Sequence, residues 1–481
     1  MSDDIPEIKT MGSVKDGAEG QAVKEEPASE RRIRLLKQMG LVCMACMGHF
    51  SLGVALPWPS PALSDIAVNN ATLVGTEMAL NTLQKDMTGS MVSLGMLFGA
   101  WTAGWLVSTL GRIRSMRVIA APFLIGWLMN ALAPNPEVML VSRFIVGIAS
   151  GAVSVAASSY VMELADVSVR GMMATMPTVA IVLGGLYTVW MGYALQWHYL
   201  ALVCAIPPAI MLVVTFLLPD SPSYLVIHGR RQRALAILRK LRGPYAIIEE
   251  EVQELERRNL TTATGGQVGW KGLLEPEVRK NLAIMVMLFL FQQLCGNYVF
   301  MIQTSRVLKA AGAPWDPDAA TVVVGAIRVA GTIVAIFLLD RIGRRYCLII
   351  SHAINAMALI ILGVYVYLAE GSLPDEEETY SRLSWVPLLC VLVIMFIINV
   401  GVHPVPFILG TEYFQTNIRA QASSICFSSG TIFAFLALQL YSPMQDAMTQ
   451  AGLYWFYASI SVLGVVFTFI FIKETKGRSV G

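Results

Sequence analysis

Twelve apolar stretches, each about as long as a bilayer core is thick, constrain this chain more than any other feature. A helix needs roughly 20 residues to cross about 30 Å of hydrocarbon. Runs of that length fall at 40–63, 88–110, 115–134, 138–161, 172–195 and 198–218, and then, after a polar break, at 281–305, 319–339, 346–368, 384–411, 420–441 and 452–472. Lipid satisfies no backbone N–H or C=O, so such runs fold as helices. The expectation is an all-α membrane protein with 12 transmembrane helices in two groups of six. Only 14% of the 481 residues are charged, against roughly 25% in soluble domains. Spans 1, 10 and 11 are the least regular, and Pro57, Pro59, Pro404 and Pro406 interrupt the series.

A net charge of +2 implies no acidic partner and no nucleic acid. Lysines and arginines gather before span 1, in the central break and after spans 2 and 8, whereas the opposite loops hold Lys85, Arg306, Lys309 and Arg382. The positive-inside rule puts both termini and the break in the cytosol. The expected organisation is a cytosolic tail (1–37), a six-helix bundle (38–218), a linker of short amphipathic helices (219–280), a second bundle (281–472) and a second tail (473–481). Residues 1–30 read as a disordered tail, and no cleavable signal precedes span 1. The seven cysteines lie in or at the edges of spans, and buried free thiols are expected. No nucleophile–base pair, metal-ligand spacing or phosphate-cradling loop is visible, so neither enzyme activity nor a cofactor is expected. The sequon at Asn70 falls on the outer side and is expected to carry glycan, whereas that at Asn259 is cytosolic.

The halves echo one another. "LGRIR" (Leu110–Arg114) follows span 2 and "IGRRY" (Ile342–Tyr346) follows span 8. Glu163 precedes Arg170 by seven residues after span 4, and Glu412 precedes Arg419 by seven after span 10. All lie at cytosolic span ends, where carboxylates and guanidiniums meet in charge-assisted contacts. Arg112, Glu163, Arg170, Asp340, Arg344, Glu412 and Arg419 are therefore candidate gate residues, expected to pair across the halves and hold the cytosolic side shut.

Several blocks carry a wider resemblance. They are "RFIVGIASG" (Arg143–Gly151), "YVMELADVSVRG" (Tyr160–Gly171), "PDSPSYL" (Pro219–Leu225), "QQLCG" (Gln292–Gly296), "DRIGRR" (Asp340–Arg345), "GVHPVPFILGTEYF" (Gly401–Phe414) and "ETKGRS" (Glu474–Ser479). In number and order they resemble the sugar porter family of the major facilitator superfamily, and "WPSPAL" (Trp58–Leu63) is most similar to insect trehalose and hexose facilitators. The resemblance implies a major facilitator fold, parallel half-repeats and alternating-access transport of a sugar, trehalose or a hexose. It implies a monomer in a lipid bilayer, at the plasma membrane. "RRIRLL" (Arg31–Leu36) keeps an endolysosomal membrane as the alternative. The pocket departs from the family pattern: Thr178 replaces a sugar-contacting Gln, Cys295, Asn297 and Tyr298 replace Ser, Ile and Asn, Asn399 stands at a usual Glu or polar position, and Phe407 replaces a Trp. Ala55 stands where proton-coupled members carry Asp, so simple facilitation is expected, with His49 and His403 as the titratable residues that remain.

A charged residue in span 8 resists the apolar pattern. Arg328, inside the run that begins at Thr321, costs about 2.5–3.5 kcal/mol at mid-bilayer on insertion scales. Gly325 and Gly331 give it a groove between helices. By register with "DRIGRR" it resembles the cavity-facing Asn or Gln of span 8 in sugar porters. On span 7, Gln292, Gly296 and Gln303 share one helix face at 100° per residue, with Gln293 and Asn297 on the flank. The candidate substrate residues are therefore Gln292, Gln293, Asn297, Tyr298, Gln303, Arg328, Thr178, Asn399 and Phe407. Two other readings stand beside the sugar facilitator: transport of a small organic anion through Arg328, and a solute sensor that does not transport.

The topology is testable directly. Epitope tags at residue 10, within 244–270 and at the C-terminus should be reachable only from the cytosol, and Asn70 should be glycosylated in a eukaryotic host. An extracellular central loop would overturn the two-half arrangement.

Overall fold

A computed structural model describes residues 27–166, 169–243, 248–264, 273–310, 316–370, 383–414 and 418–475. They form helices, turns and one isolated bridge, Ala71–Glu77. In order the helices are α1 (Ala28–Ala45), α2 (Met47–Ala55), α3 (Pro59–Ile66), α4 (Thr82–Leu110), α5 (Arg112–Ala131), α6 (Pro136–Leu164), α7 (Arg170–Ala194), α8 (Trp197–Cys204), α9 (Ile206–Val214), α10 (Pro222–Ile227), α11 (Arg231–Arg242) and α12 (Ile248–Thr264). After the linker come α13 (Pro276–Leu294), α14 (Asn297–Ile302), α15 (Thr304–Ala310), α16 (Pro317–Ile342), α17 (Arg344–Glu370), α18 (Val386–Ile397), a π-helical turn (Ile398–Val402), α19 (Pro404–Glu412), α20 (Arg419–Gln439) and α21 (Tyr441–Phe471).

Eleven helical segments among the described residues are long and apolar enough to cross a membrane. The twelfth span is α5, which carries Arg112, Arg114 and Arg117 in its first turns. Arg117 reaches back to the Thr215 carbonyl (2.7 Å) and lies 4.3 Å over the Phe216 ring.

Local chemistry sets the boundaries. Asn81 and Gln84 form a reciprocal capping box that starts α4. Asn135 caps α6 ahead of Pro136, and Ser221 caps α10 ahead of Pro222. Spans 1 and 10 are broken as their prolines imply, into α1–α3 and into α18, the π turn and α19. Span 11 is instead one continuous helix, α20. Two further breaks were not expected, one before Pro207–Pro208 between α8 and α9 and one at Gly296 between α13 and α14. The last span starts earlier than its apolar run, at Tyr441, with a kink at Thr449.

The close packing of α4 against α6 is made by glycine at four-residue spacing on both partners. A Cβ on Gly95, Gly99, Gly147 or Gly151 would lie 2.0–2.4 Å from a carbonyl oxygen of the facing helix. Small residues at this spacing let membrane helices approach backbone to backbone. The two six-helix groups meet along α4 with α20 and α7 with α16, and α3 touches α14, α15 and α16.

The sequence repeat is a structural repeat. Gly111 and Gly343 both carry positive φ, at 81° and 102°, and each turns the chain into a helix that opens with an arginine. Helices α10–α12 pack around Leu225, Leu235, Leu238 and Val252. They dock on the first group, where Arg242 binds Glu251 (3.0 Å) and the Leu164 carbonyl (3.0 Å), and Gln38 binds the Leu241 carbonyl (2.6 Å). Cys43 is exposed and the other six cysteines are buried, all of them free. Cys43 departs from the expectation because it lies on the outer face of α1.

Gly343 combines positive φ with crowding, since a Cβ there would sit 2.5 Å from Glu474 Oε2. At φ 102° and ψ 160° the backbone is in a region reserved for glycine. Gly343→Ala should therefore cost about 1–3 kcal/mol and lower the melting temperature. Gly104→Ala, where nothing lies within 4 Å, should not. Equal melting curves would contradict the assignment.

Candidate functional site: a central polar seam between two sealed faces

Three layers of polar chemistry run through the assembly. At the face bearing α10–α12, the repeated arginines meet the repeated glutamates. Arg112 binds Glu163 (2.8 Å), and the Ser221 hydroxyl donates to the same carboxylate. Arg344 binds Glu412 (3.3 Å) and Asp340 (3.2 Å), and Thr475 donates to Glu412 (2.5 Å). The Glu474 carboxylate accepts from the backbone N–H groups of Arg344 and Arg345, both at 3.1 Å. That places an anion on the N-terminus of α17, where helix dipole and free N–H groups favour it. Arg419 donates to the Phe414 carbonyl at 3.1 Å. The Arg170 side chain lies outside the described residues. In this conformation the described pairs stay within one six-helix group each, not between groups.

The opposite face is where charges cross. Asp86 of α4, only 1% exposed, binds Arg306 of α15 at 3.1 Å and accepts from the Ser442 N–H at 3.1 Å. Arg306 also lies 5.3 Å over the Tyr441 ring. Beside it the Lys309 ammonium donates to Ser64 (2.9 Å), and the hydroxyls of Ser64 and Ser305 donate to Asp318 (3.1 and 3.3 Å). Ser90 donates to Gln439 (2.8 Å). These bonds tie α3 and α4 to α15, α16, α20 and α21. The sequence reading did not name Asp86 or Asp318. The available signal was the scarcity of cations in these loops: Arg306 and Lys309 are two of the four, and Asp86 follows a third, Lys85.

Between the faces lies the polar seam. Gln292 donates to the His403 carbonyl (2.7 Å) and accepts from Gln293 (3.3 Å), tying α13 to the break at Pro404. Gln293 Oε1, Asn297 Nδ2 and His403 Nδ1 are buried without partners among the described residues. Asn399 sits in the π-helical turn, a feature common at functional sites. It donates to the Met395 carbonyl (2.7 Å) and packs beside Gly331 of α16. Gly331 meets the Phe396 carbonyl and Gly325 meets Leu186 and Val189 of α7, so both glycines face helices, as expected of a groove around Arg328. Arg328 is 7% exposed, with Tyr298 and His403 as electrostatic neighbours. Phe407, partly exposed, meets Phe289 edge-on (5.2 Å), with His403 and Phe427 alongside.

Two expected members lie elsewhere. Gln303 accepts from Arg306 (3.1 Å), so it belongs to the charged outer layer, because the break at Gly296 and the end of α14 carry it away from the Gln292 face. Thr178 is exposed on α7, two helical turns from Gly185 towards the α10–α12 face. His49 is bonded to Ser158 (2.8 Å).

Against known proteins, the family model described as "Sugar (and other) transporter" matches residues 35–480. The chain belongs to this family. Among its relatives, the facilitated trehalose transporter Tret1 of Drosophila virilis is 29% identical over 434 residues, covering 90% of this chain and 47% of that protein. Tret1 of Bombyx mori is 28% identical over 479 residues, covering 100% and 91%. The chain thus spans about half the length of the Drosophila relatives it matches. The inward-open xylose transporter XylE from E. coli superimposes with a TM-score of 0.75 at 22% identity, over 92% of this chain and 98% of that one. The partially occluded inward-open form gives 0.74. The fold is that of the major facilitator superfamily, a multi-pass membrane protein.

Proposed function

We propose that the protein is a facilitative transporter that carries a sugar or sugar-derived solute by alternating access, as a monomer in the plasma membrane. The observation that carries this reading is the asymmetry of the charge pairs. The face with Asp86, Arg306 and Asp318 is tied between the two six-helix groups, while at the α10–α12 face each described ion pair stays within one group. That is the pattern of a cavity closed to one side and releasable to the other. The charge bias of the loops makes the tied face extracellular.

In the transport cycle, each terminal cluster holds one group's cytosolic ends as a unit. Arg112 and Glu163 do so for residues 38–218, joined by Ser221 from the linker, and Arg344 and Glu412 for residues 281–472, joined by Glu474 from the C-terminal segment. The halves then rock about the central site as near-rigid bodies. Opening outwards requires Asp86 to release Arg306. Gln292, Gln293, Asn297, Tyr298 and Asn399 supply the directional donors and acceptors that solute hydroxyls need, since an unpaired hydroxyl in a dry site costs free energy. Phe407 offers an apolar face against the solute body, and Thr178 lies on the cytosolic exit. The tret1 proteins' named solute, trehalose, and hexoses fall in the class this site would take. Asn70 is exposed on the tied face, in keeping with glycosylation there.

Purified protein in liposomes tests the reading against hexoses, trehalose and sugar acids. At least one should move down its gradient, with exchange accelerated by solute on the far side and no effect of a protonophore. Uptake that requires a proton gradient would contradict facilitation, and binding without any flux would favour a sensor.

A further inference from the structure

Arg143 and Arg328 both lie buried among membrane-spanning helices, and the fold treats them in opposite ways. Arg143 is fully buried and held through Nε and Nη2, with Nη1 alone lacking a partner among the described residues. Its guanidinium donates to the carbonyls of Thr88 (3.1 Å) and Ala55 (2.7 Å) and lies over the rings of Trp58 (5.0 Å) and Trp127 (5.7 Å). This is how a structural cation is kept in a low-dielectric interior, by carbonyl dipoles and aromatic faces.

Arg328 has none of this. It is 7% exposed, yet among the described residues no carbonyl, carboxylate or hydroxyl accepts from its guanidinium. Beyond the helix's own main-chain ladder, the Thr332 hydroxyl donates to its main-chain oxygen (3.0 Å). The side chain spans the seam between groups, since a Cβ on Gly185 of α7 would lie 3.5 Å from its Nη1. The buried carboxylate of Asp86 and the half-buried one of Glu163 are already taken by Arg306 and Arg112. None of its guanidinium nitrogens is among the side-chain atoms buried without a partner, so the fork is open to the space between the groups, where a solute would sit, and is not sealed in protein.

We propose that Arg328 is the anion-recognition group of the central cavity and that the transported solute is a sugar acid, a polyhydroxylated body bearing one carboxylate. This rests on the sugar-transporter reading and narrows it. The planar fork of guanidinium matches a carboxylate in a bidentate pair. A sugar phosphate fits less well, because it carries close to two negative charges near neutral pH against this single arginine. Gln293 Oε1 and Asn297 Nδ2, buried without partners among the described residues, leave an acceptor and a donor for hydroxyls on the same solute.

The test compares D-glucuronate with D-glucose, which differ at one carbon, in binding to the full-length protein in detergent or nanodiscs and in uptake into liposomes. Wild type should bind glucuronate at least tenfold more tightly than glucose, and uptake should respond to membrane potential as transport of an anion must. Arg328→Gln should weaken glucuronate binding on the order of ten- to a hundredfold, the range of a charge-assisted contact, and leave glucose within about twofold. Arg328→Lys keeps the charge without the fork and should fall between. Glucose bound as well as glucuronate by wild type overturns the proposal while leaving the sugar reading intact. Equal loss of both ligands in Arg328→Gln, with a lowered melting temperature, makes the arginine structural and also overturns it. If wild type binds neither, the sugar reading fails with it. Should Arg328→Gln not fold, the wild-type comparison and Arg328→Lys decide alone.

Discussion

A charge inside hydrocarbon must find a partner, and where each partner sits governs how this protein is put together. Arg143 finds carbonyls and two indole faces in the core of the first helical group. Arg112 and Arg344 find glutamates at one end of each group, and Arg306 finds Asp86 across the seam at the other end. Such pairs add little net stability, because desolvation offsets much of the attraction, but removing one partner strands a buried charge at about 3–5 kcal/mol. Paired charges therefore act as registers, fixing which helices travel together and which separate. Arg328, without a side-chain partner among the described residues, is the exception that the solute would complete.

The repeat gives the mechanism its symmetry and the pairing breaks it. Gly111–Arg112 with Glu163 and Gly343–Arg344 with Glu412 are the same device built twice, once in each group. The linker elaborates the first copy through Ser221, and the C-terminal segment elaborates the second through Glu474 and Thr475. Among the described residues, nothing at the opposite face is duplicated in this way. There the contacts join unlike helices, α4 to α15 and α3 to α16, so that face can part without disturbing either cluster.

Much of this was legible in the sequence because it depends on local pattern. Apolar run length marked the spans, proline marked the breaks in spans 1 and 10, and the spacing of Gly, Arg and Glu revealed the duplication. Arg328 stood out because a guanidinium in an apolar helix has no bland local explanation. What was not legible depends on contacts distant in sequence. Asp86 and Arg306 are 220 residues apart, and neither position hints at the other. Gln303 was placed with Gln292 by assuming one unbroken helix, whereas Gly296 adopts a left-handed turn that splits the span. The gate residues were found as a set, but their pairing within groups could not be read, because helix ends that are neighbours in a bundle look no different in sequence from helix ends that face each other.

The claim on which the account turns is that the Asp86–Arg306 pair holds the outer face shut between two otherwise independent units. It can be measured directly as the distance between spin labels at Leu83 on α4 and Met448 on α21, both exposed near that face. Wild type should give a short, narrow distribution, and Asp86→Asn should add a longer component, because Arg306 loses its counter-charge and the face parts. Distributions that superimpose in the two proteins would show that the pair does not close the seam.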